Sequence, residues 1–105
     1  MNSNQNERIN QITSSTLIVC VDIAKFKHVA RAQDNRGVEF GKAITFENTR
    51  EGFELFVNWF RKISAEQGFQ DVIVGMEPTG HYWLNPAHFF REKQVKYGVV
   101  NPMHV

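Results

Sequence analysis

The chain has 105 residues, 42% of them hydrophobic and nine of them Phe, which is material for one globular domain and argues against disorder. A net charge of +1 neither announces nor excludes a nucleic-acid partner, although Lys25, Lys27, His28, Arg31, Arg36 and Lys42 cluster early and Arg91, Lys93, Lys96 and His104 late. No apolar run approaches the roughly 18 residues of a membrane span and no basic-then-apolar leader opens the sequence, so a cytoplasmic protein without a membrane partner is expected.

Residues 1–15 are rich in Asn, Gln and Ser with little apolar periodicity, which predicts a poorly ordered polar tail ahead of a domain over residues 16–105. Leu17 to Ala24 reads as a first strand, an apolar run carrying Asp22 near its end. Cys20 lies inside that run; as the single cysteine it allows no disulfide within the chain, and its plainest role is a small buried core residue. After a Lys25-Phe26 bend, His28 to Gln33 reads as a second strand, and Asp34-Asn35-Arg36-Gly37 is a turn signal. The third strand follows with period-two alternation: Val38, Phe40, Ile44 and Phe46 on one face, interrupted by Lys42, and Glu39, Gly41, Thr45 and Glu47 on the other.

Asn48-Thr49-Arg50-Glu51 predicts a helix start with Asn48 as cap and Glu51 in the capping-box position. Phe53, Phe56, Val57, Phe60 and Ile63 then recur at helical spacing, a stripe most simply read as packing on a sheet, and Gly68 ends the helix. Asp71 to Met76 is a fourth strand, apolar on both parities around Val72, Ile73 and Val74 and therefore expected to be central and buried on both faces. Glu77 interrupts it and Pro78 and Gly80 stop it, placing the acid at the rim. A second helix is expected from Gly80 to about Gln94, starting either with Asn85 as cap and Pro86 at the first helical position or at Thr79 with a distorted first turn. Val95 to Val100 is a fifth strand, ended by Asn101-Pro102.

The order strand, strand, strand, helix, strand, helix, strand predicts an α/β fold. It is a mixed five-stranded sheet built from an antiparallel meander and two right-handed crossovers, the ribonuclease-H-like layout with first and fourth strands adjacent at the centre. Ligands of open α/β sheets bind outside the carboxyl ends of the strands. Adjacent strands lie about 4.8 Å apart. Asp22 and Glu77 at equivalent strand ends would therefore form a carboxylate pair suited to Mg²⁺ or Mn²⁺, hard cations that activate phosphodiester chemistry. The plainer alternative is that each acid caps a loop or pairs with a nearby Lys.

Other candidates are weaker. Lys25 and Lys27 beside Asp22, with His28, could touch a phosphate backbone, or the lysines are ordinary exposed residues near a turn. Thr79-Gly80 at a helix start offers backbone N–H groups to a phosphate or is a plain tight turn. Tyr82 and Trp83 are base-stacking candidates or ordinary packing. His81 and His88 could share a helix face, but no third ligand has zinc spacing.

Several blocks of the chain together resemble a known family. They are Val21-Asp22-Ile23-Ala24-Lys25 with His28, Asn48 to Phe53, Gly75-Met76-Glu77-Pro78-Thr79-Gly80-His81-Tyr82-Trp83, and Val99-Val100-Asn101-Pro102 with His104-Val105. The resemblance is to the N-terminal, RuvC-like and ribonuclease-H-like domain of the DEDD-type insertion-sequence transposases, bacterial mobile-element recombinases, and it spans about Leu17 to Val105. It implies that Asp22 is the first acid of the Asp-Glu-Asp-Asp set and Glu77 the second. It also implies two further Asp residues after the Asn-Pro segment, a serine nucleophile in a separate C-terminal domain, DNA and a guide RNA as partners, and a homo-oligomer. On that basis the polypeptide is expected to be a truncated piece, inactive by itself. Two rivals are a non-catalytic binding module of the same fold and an actin-like ATPase lobe. The latter usually has a Gly-rich turn after its first strand, and Asp22-Ile23-Ala24-Lys25-Phe26-Lys27 contains no glycine.

Overall fold

The structure, a computed structural model, describes residues 12–78 and 84–99. Five strands, β1 (Thr16–Ile23), β2 (Lys27–Gln33), β3 (Ile44–Glu47), β4 (Asp71–Pro78) and β5 (Lys96–Val99), form one sheet in the order β3-β2-β1-β4-β5. β1–β2 and β2–β3 are antiparallel; β1–β4 and β4–β5 are parallel. This is the ribonuclease-H-like arrangement, with β1 and β4 at the centre as expected from the order of elements. Helix α1 (Arg50–Gln67) links β3 to β4, and α2 (Leu84–Glu92) links β4 to β5.

Both crossovers travel across the sheet in the same direction, so a shared handedness places both helices on one face. Phe53, Phe56, Val57 and Phe60 of α1 and Ala87, Phe89 and Phe90 of α2 join Leu17, Val19, Val21, Ile23, Ala30, Ala32, Phe46, Val74 and Met76 in a single core. Its centre is aromatic. Phe56 stacks on Phe46 at 4.4 Å between centroids and meets Phe60 edge-on at 5.2 Å, and Phe53 meets Phe89 at 5.4 Å. The Phe stripe is thus packing, as its spacing predicts.

Among the described residues, no helix covers the opposite face. Along β1, burial alternates through the strand's second half, with Val19, Val21 and Ile23 buried and Cys20 and Asp22 exposed. The expectation of a buried Cys20 is therefore wrong, because alternation turns residue 20 away from the helices. The expectation that β4 is buried on both faces is wrong for the same reason. Val74 and Met76 are buried, Ile73 and Gly75 are half-buried, and Glu77 is exposed.

Other boundaries shift for local reasons. The third strand is only four residues long. Gly41 adopts φ 70°, a left-handed conformation that breaks the extended run, so Val38 is exposed and Phe40 packs edge-on against Phe69 instead. The 34–37 turn forms as predicted, with Gly37 at φ 87°. The buried Asp34 carboxylate accepts the N–H groups of Arg36 and Val38 at 2.9 and 3.0 Å. The cap of α1 is Thr49, not Asn48; its Oγ1 accepts the N–H of Gly52 at 3.0 Å. Gly68 closes the helix at φ 73°, as expected.

In α2, Asn85 is helical rather than the cap. Pro86 sits third from the start, where its missing N–H has no intrahelical partner to lose. Residues 1–11 of the expected tail lie outside the described residues, whereas Thr13 and Thr16 close a turn that leads into β1. Asn101-Pro102 also lie outside. No helix among the described residues is long and apolar enough to cross a membrane.

Candidate functional site

The parallel pairing of β1 with β4 runs from Thr16↔Asp71 to Ile23↔Pro78 without a slip, and it sets Asp22 directly opposite Glu77. Each acid follows a buried residue of the core face, Val21 and Met76, so alternation turns both to the open face, and both are exposed. In-register neighbours of parallel strands point the same way, so the two carboxylates stand side by side about one strand spacing apart, roughly 4.8 Å at the backbone.

The row beneath them is Arg31, Cys20, Gly75 and Gly98, paired across β2, β1, β4 and β5. Partial burial pushes the Cys20 thiol above its ordinary value, and the charges of Glu77 and Asp22 push it further. Both acids therefore bear on the same patch of sheet. The two glycines keep that patch low, and no atom of the described residues lies within 4 Å of where a side chain on Gly98 would begin. Val29 flanks Asp22 on the β2 side.

Among the described residues, no three His, Cys, Asp or Glu side chains gather into a metal cage. The pair is instead two hard oxygen donors on an open surface. That fits Mg²⁺ or Mn²⁺, which is commonly held by one or two carboxylates and completed by water and substrate phosphates.

The β1–β2 loop leaves the sheet two residues after Asp22. Lys25 is exposed on it, and Lys27, which opens β2, is exposed as well. His28, named from the sequence among the nucleic-acid contacts, is fully buried and cannot reach a ligand. Its Nδ1 accepts the Ala24 N–H at 3.2 Å, so Nε2 carries the proton and donates to Asn48 Oδ1 at 3.2 Å. Asn48 Nδ2 donates in turn to the Lys25 carbonyl at 3.2 Å, and the Asn48 N–H to the Phe26 carbonyl at 2.8 Å. The imidazole rests between Phe46 and Phe53, at 5.2 and 6.0 Å. Burial lowers its pKa against the opposing pull of Asn48.

Asn48 is thus a latch between the β3–α1 junction and the loop, a role that its sequence position disguises as a cap. The other residue the sequence did not single out is Phe26, which is 71% exposed. Its signal was a lone aromatic between two lysines. Thr79, Gly80 and Tyr82, with His81 and Trp83, lie outside the described residues.

Among solved structures, the chain is similar to an Aquifex aeolicus member of the Ppx/GppA family, with 12% identity and TM-score 0.47, covering 85% of this chain and 36% of that one. It is also similar to an exopolyphosphatase from Cytophaga hutchinsonii, with 11% identity and TM-score 0.44, covering 83% and 35%. The chain spans about a third of the length of these proteins. No curated protein matches its sequence. The family model of the IS110-type DEDD transposases, described as transposase, matches residues 19–105. That match takes in both strand-end acids, the loop between β1 and β2 and every element from β2 to β5, and the chain belongs to this transposase family.

Proposed function

We propose that this chain carries the first half of the carboxylate set of a DNA transposase. Asp22 and Glu77 hold Mg²⁺ or Mn²⁺ for phosphodiester cleavage and strand transfer. The observation that carries this reading is the in-register pairing of the two acids at the carboxyl ends of the two central parallel strands. When bound, the metal supplies charge neutralisation at the scissile phosphate.

The rest is the work of the chain's own residues. Asp22 and Glu77 would hold the cation from the ends of two paired strands, and Gly75 and Gly98 would leave room beside them for a phosphodiester. Lys25 and Lys27 attract the phosphate backbone that leads away from the reacting centre. Thr79 and Gly80 would offer backbone N–H groups to a phosphate and Tyr82 a face for a base. Two carboxylates do not close the coordination shell. The two Asp residues, the serine nucleophile, the guide RNA and the oligomer that the family resemblance implies would complete the machine, and the chain alone is expected to be inactive.

The test uses the full-length transposase. Asp22→Asn and Glu77→Gln should each abolish metal-dependent strand transfer while leaving DNA binding in place. Strand transfer retained in both variants would make the acids structural and the domain a binding module.

A further inference from the structure

Phe26 is an apolar ring presented to solvent by a loop that is not free to bury it. Single exposed apolar residues are ordinary on protein surfaces, and exposure alone says nothing. Here, however, each of the three residues between β1 and β2 is tied at its backbone. The Ala24 N–H is bound by buried His28, and the Lys25 and Phe26 carbonyls are bound by Asn48. The loop therefore cannot fold its ring onto the core without breaking hydrogen bonds that reach into a buried imidazole.

The ring also has a defined setting. Together with Lys25, Lys27, Glu47, Asn48 and Thr49 it lines a concavity of about 520 Å³. Lys25 Nζ lies 5.1 Å from the ring centroid. Two lysines against one glutamate leave this concavity electropositive, and Arg50 begins α1 at its edge. The loop starts two residues after Asp22, which puts it within reach of a strand lying across the carboxylates.

We propose that Phe26 is a stacking platform for an unpaired base of the DNA strand that passes over Asp22 and Glu77, with Lys25 and Lys27 holding the phosphates on either side. An aromatic face needs the face of a base. Duplex bases already spend theirs on their neighbours, so the partner is a single-stranded or splayed nucleotide. The β1–β2 loop would then separate paired from unpaired DNA beside the reacting centre. This rests on the reading of the chain as a DNA transposase, but not on its metal.

The experiment measures binding of a short fluorescent oligonucleotide to the chain in EDTA, as a single strand, as a duplex with one bulged base, and as a full duplex. The single strand and the bulged duplex should bind in preference to the full duplex. Phe26→Ala should weaken those two by about 5- to 150-fold and the full duplex little. Phe26→Trp should restore affinity, with its fluorescence quenched on binding. Phe26 is exposed, so an unchanged melting curve confirms that Phe26→Ala folds. Lys25→Ala and Lys27→Ala should weaken all three substrates alike and flatten the salt dependence.

Equal binding by Phe26→Ala and the parent, equal loss on all three DNAs, tighter binding of an RNA strand of the same sequence, or no binding at all would overturn the proposal. Because metal is absent, these outcomes are independent of whether Asp22→Asn and Glu77→Gln abolish strand transfer.

Discussion

The two faces of the central strands follow the same period and serve opposite ends. On one face, Leu17, Val19, Val21, Val74 and Met76 are at most 1% exposed and meet a bed of aromatics from both helices. On the other, Cys20, Asp22, Gly75 and Glu77 lie open or half-open, and none of them packs into the core. A buried face tolerates little change because every atom has neighbours, and an open face tolerates most changes because water replaces what is lost. The molecule can therefore place two like charges side by side at the ends of its two central strands. The strands that carry them are held from the other side.

If that division holds, substitutions sort by face. The largest effect is expected at the centre of the covered face. Phe56→Ala, which removes a fully buried ring touching Phe46, Trp59, Phe60 and Phe90, should cost about 3–5 kcal/mol in urea unfolding. Next is Gly52→Ala. A methyl group there would overlap the Glu47 carbonyl oxygen, a backbone atom that cannot step aside, and the loss should be about 1–3 kcal/mol although alanine favours helices. Thr49→Ala removes the cap of α1 and should cost about 1 kcal/mol, whereas Asn48→Ala, which deletes the side-chain bonds to His28 and the Lys25 carbonyl but keeps the backbone bond to Phe26, should loosen the β1–β2 loop without fraying the helix. Amide exchange at Gly52 and at Ala24 separates the two outcomes.

Acid gives a gentler lever on the same latch. Burial depresses the pKa of His28 in the folded state, so the unfolded chain binds the proton more readily. Stability is then complete above the ordinary histidine range and falls as pH drops below about 6.5 towards the lower folded value. Protonation also removes the Nδ1 lone pair that accepts the Ala24 N–H. Urea midpoints between neutral and mildly acid pH should show this slope, and His28→Gln should flatten it.

The smallest effect on folding is expected where the chemistry is. Asp22→Asn with Glu77→Gln should move stability by no more than about 0.5 kcal/mol. The distinguishing measurement is a melt with Mn²⁺. The parent chain should be stabilised by about 2.7 kcal/mol at a hundredfold excess over Kd, and the double variant should be indifferent. A loss of several kcal/mol in the double variant would erase the contrast between the faces.

Element types and their order were readable because periodicity is local. The Phe stripe, the Gly68 stop, the 34–37 turn and the strand-end acids each depend on residues a few positions apart. Asn48 was misread for a physical reason. Asn and Thr are both good caps, and only the presence of the β1–β2 loop, more than twenty residues earlier in the chain, decides which one is free to serve. Cys20 and the Val72-Ile73-Val74 run were misread for a related reason. An apolar run says that a strand is near the centre of a sheet, but not how many of its faces are covered.

What the sequence determined by itself was therefore the set of elements, the stripe that binds helices to sheet, and the placing of one acid at the end of each of two strands. These follow from side-chain period and backbone stereochemistry. Tertiary structure alone decided that β1 and β4 pair in register, so that Asp22 meets Glu77, that both helices fall on one face, and that buried His28 and Asn48 hold Phe26 out to solvent. A one-residue slip in that pairing would have turned one acid into the core, and register is set by packing across the whole sheet rather than by any segment alone.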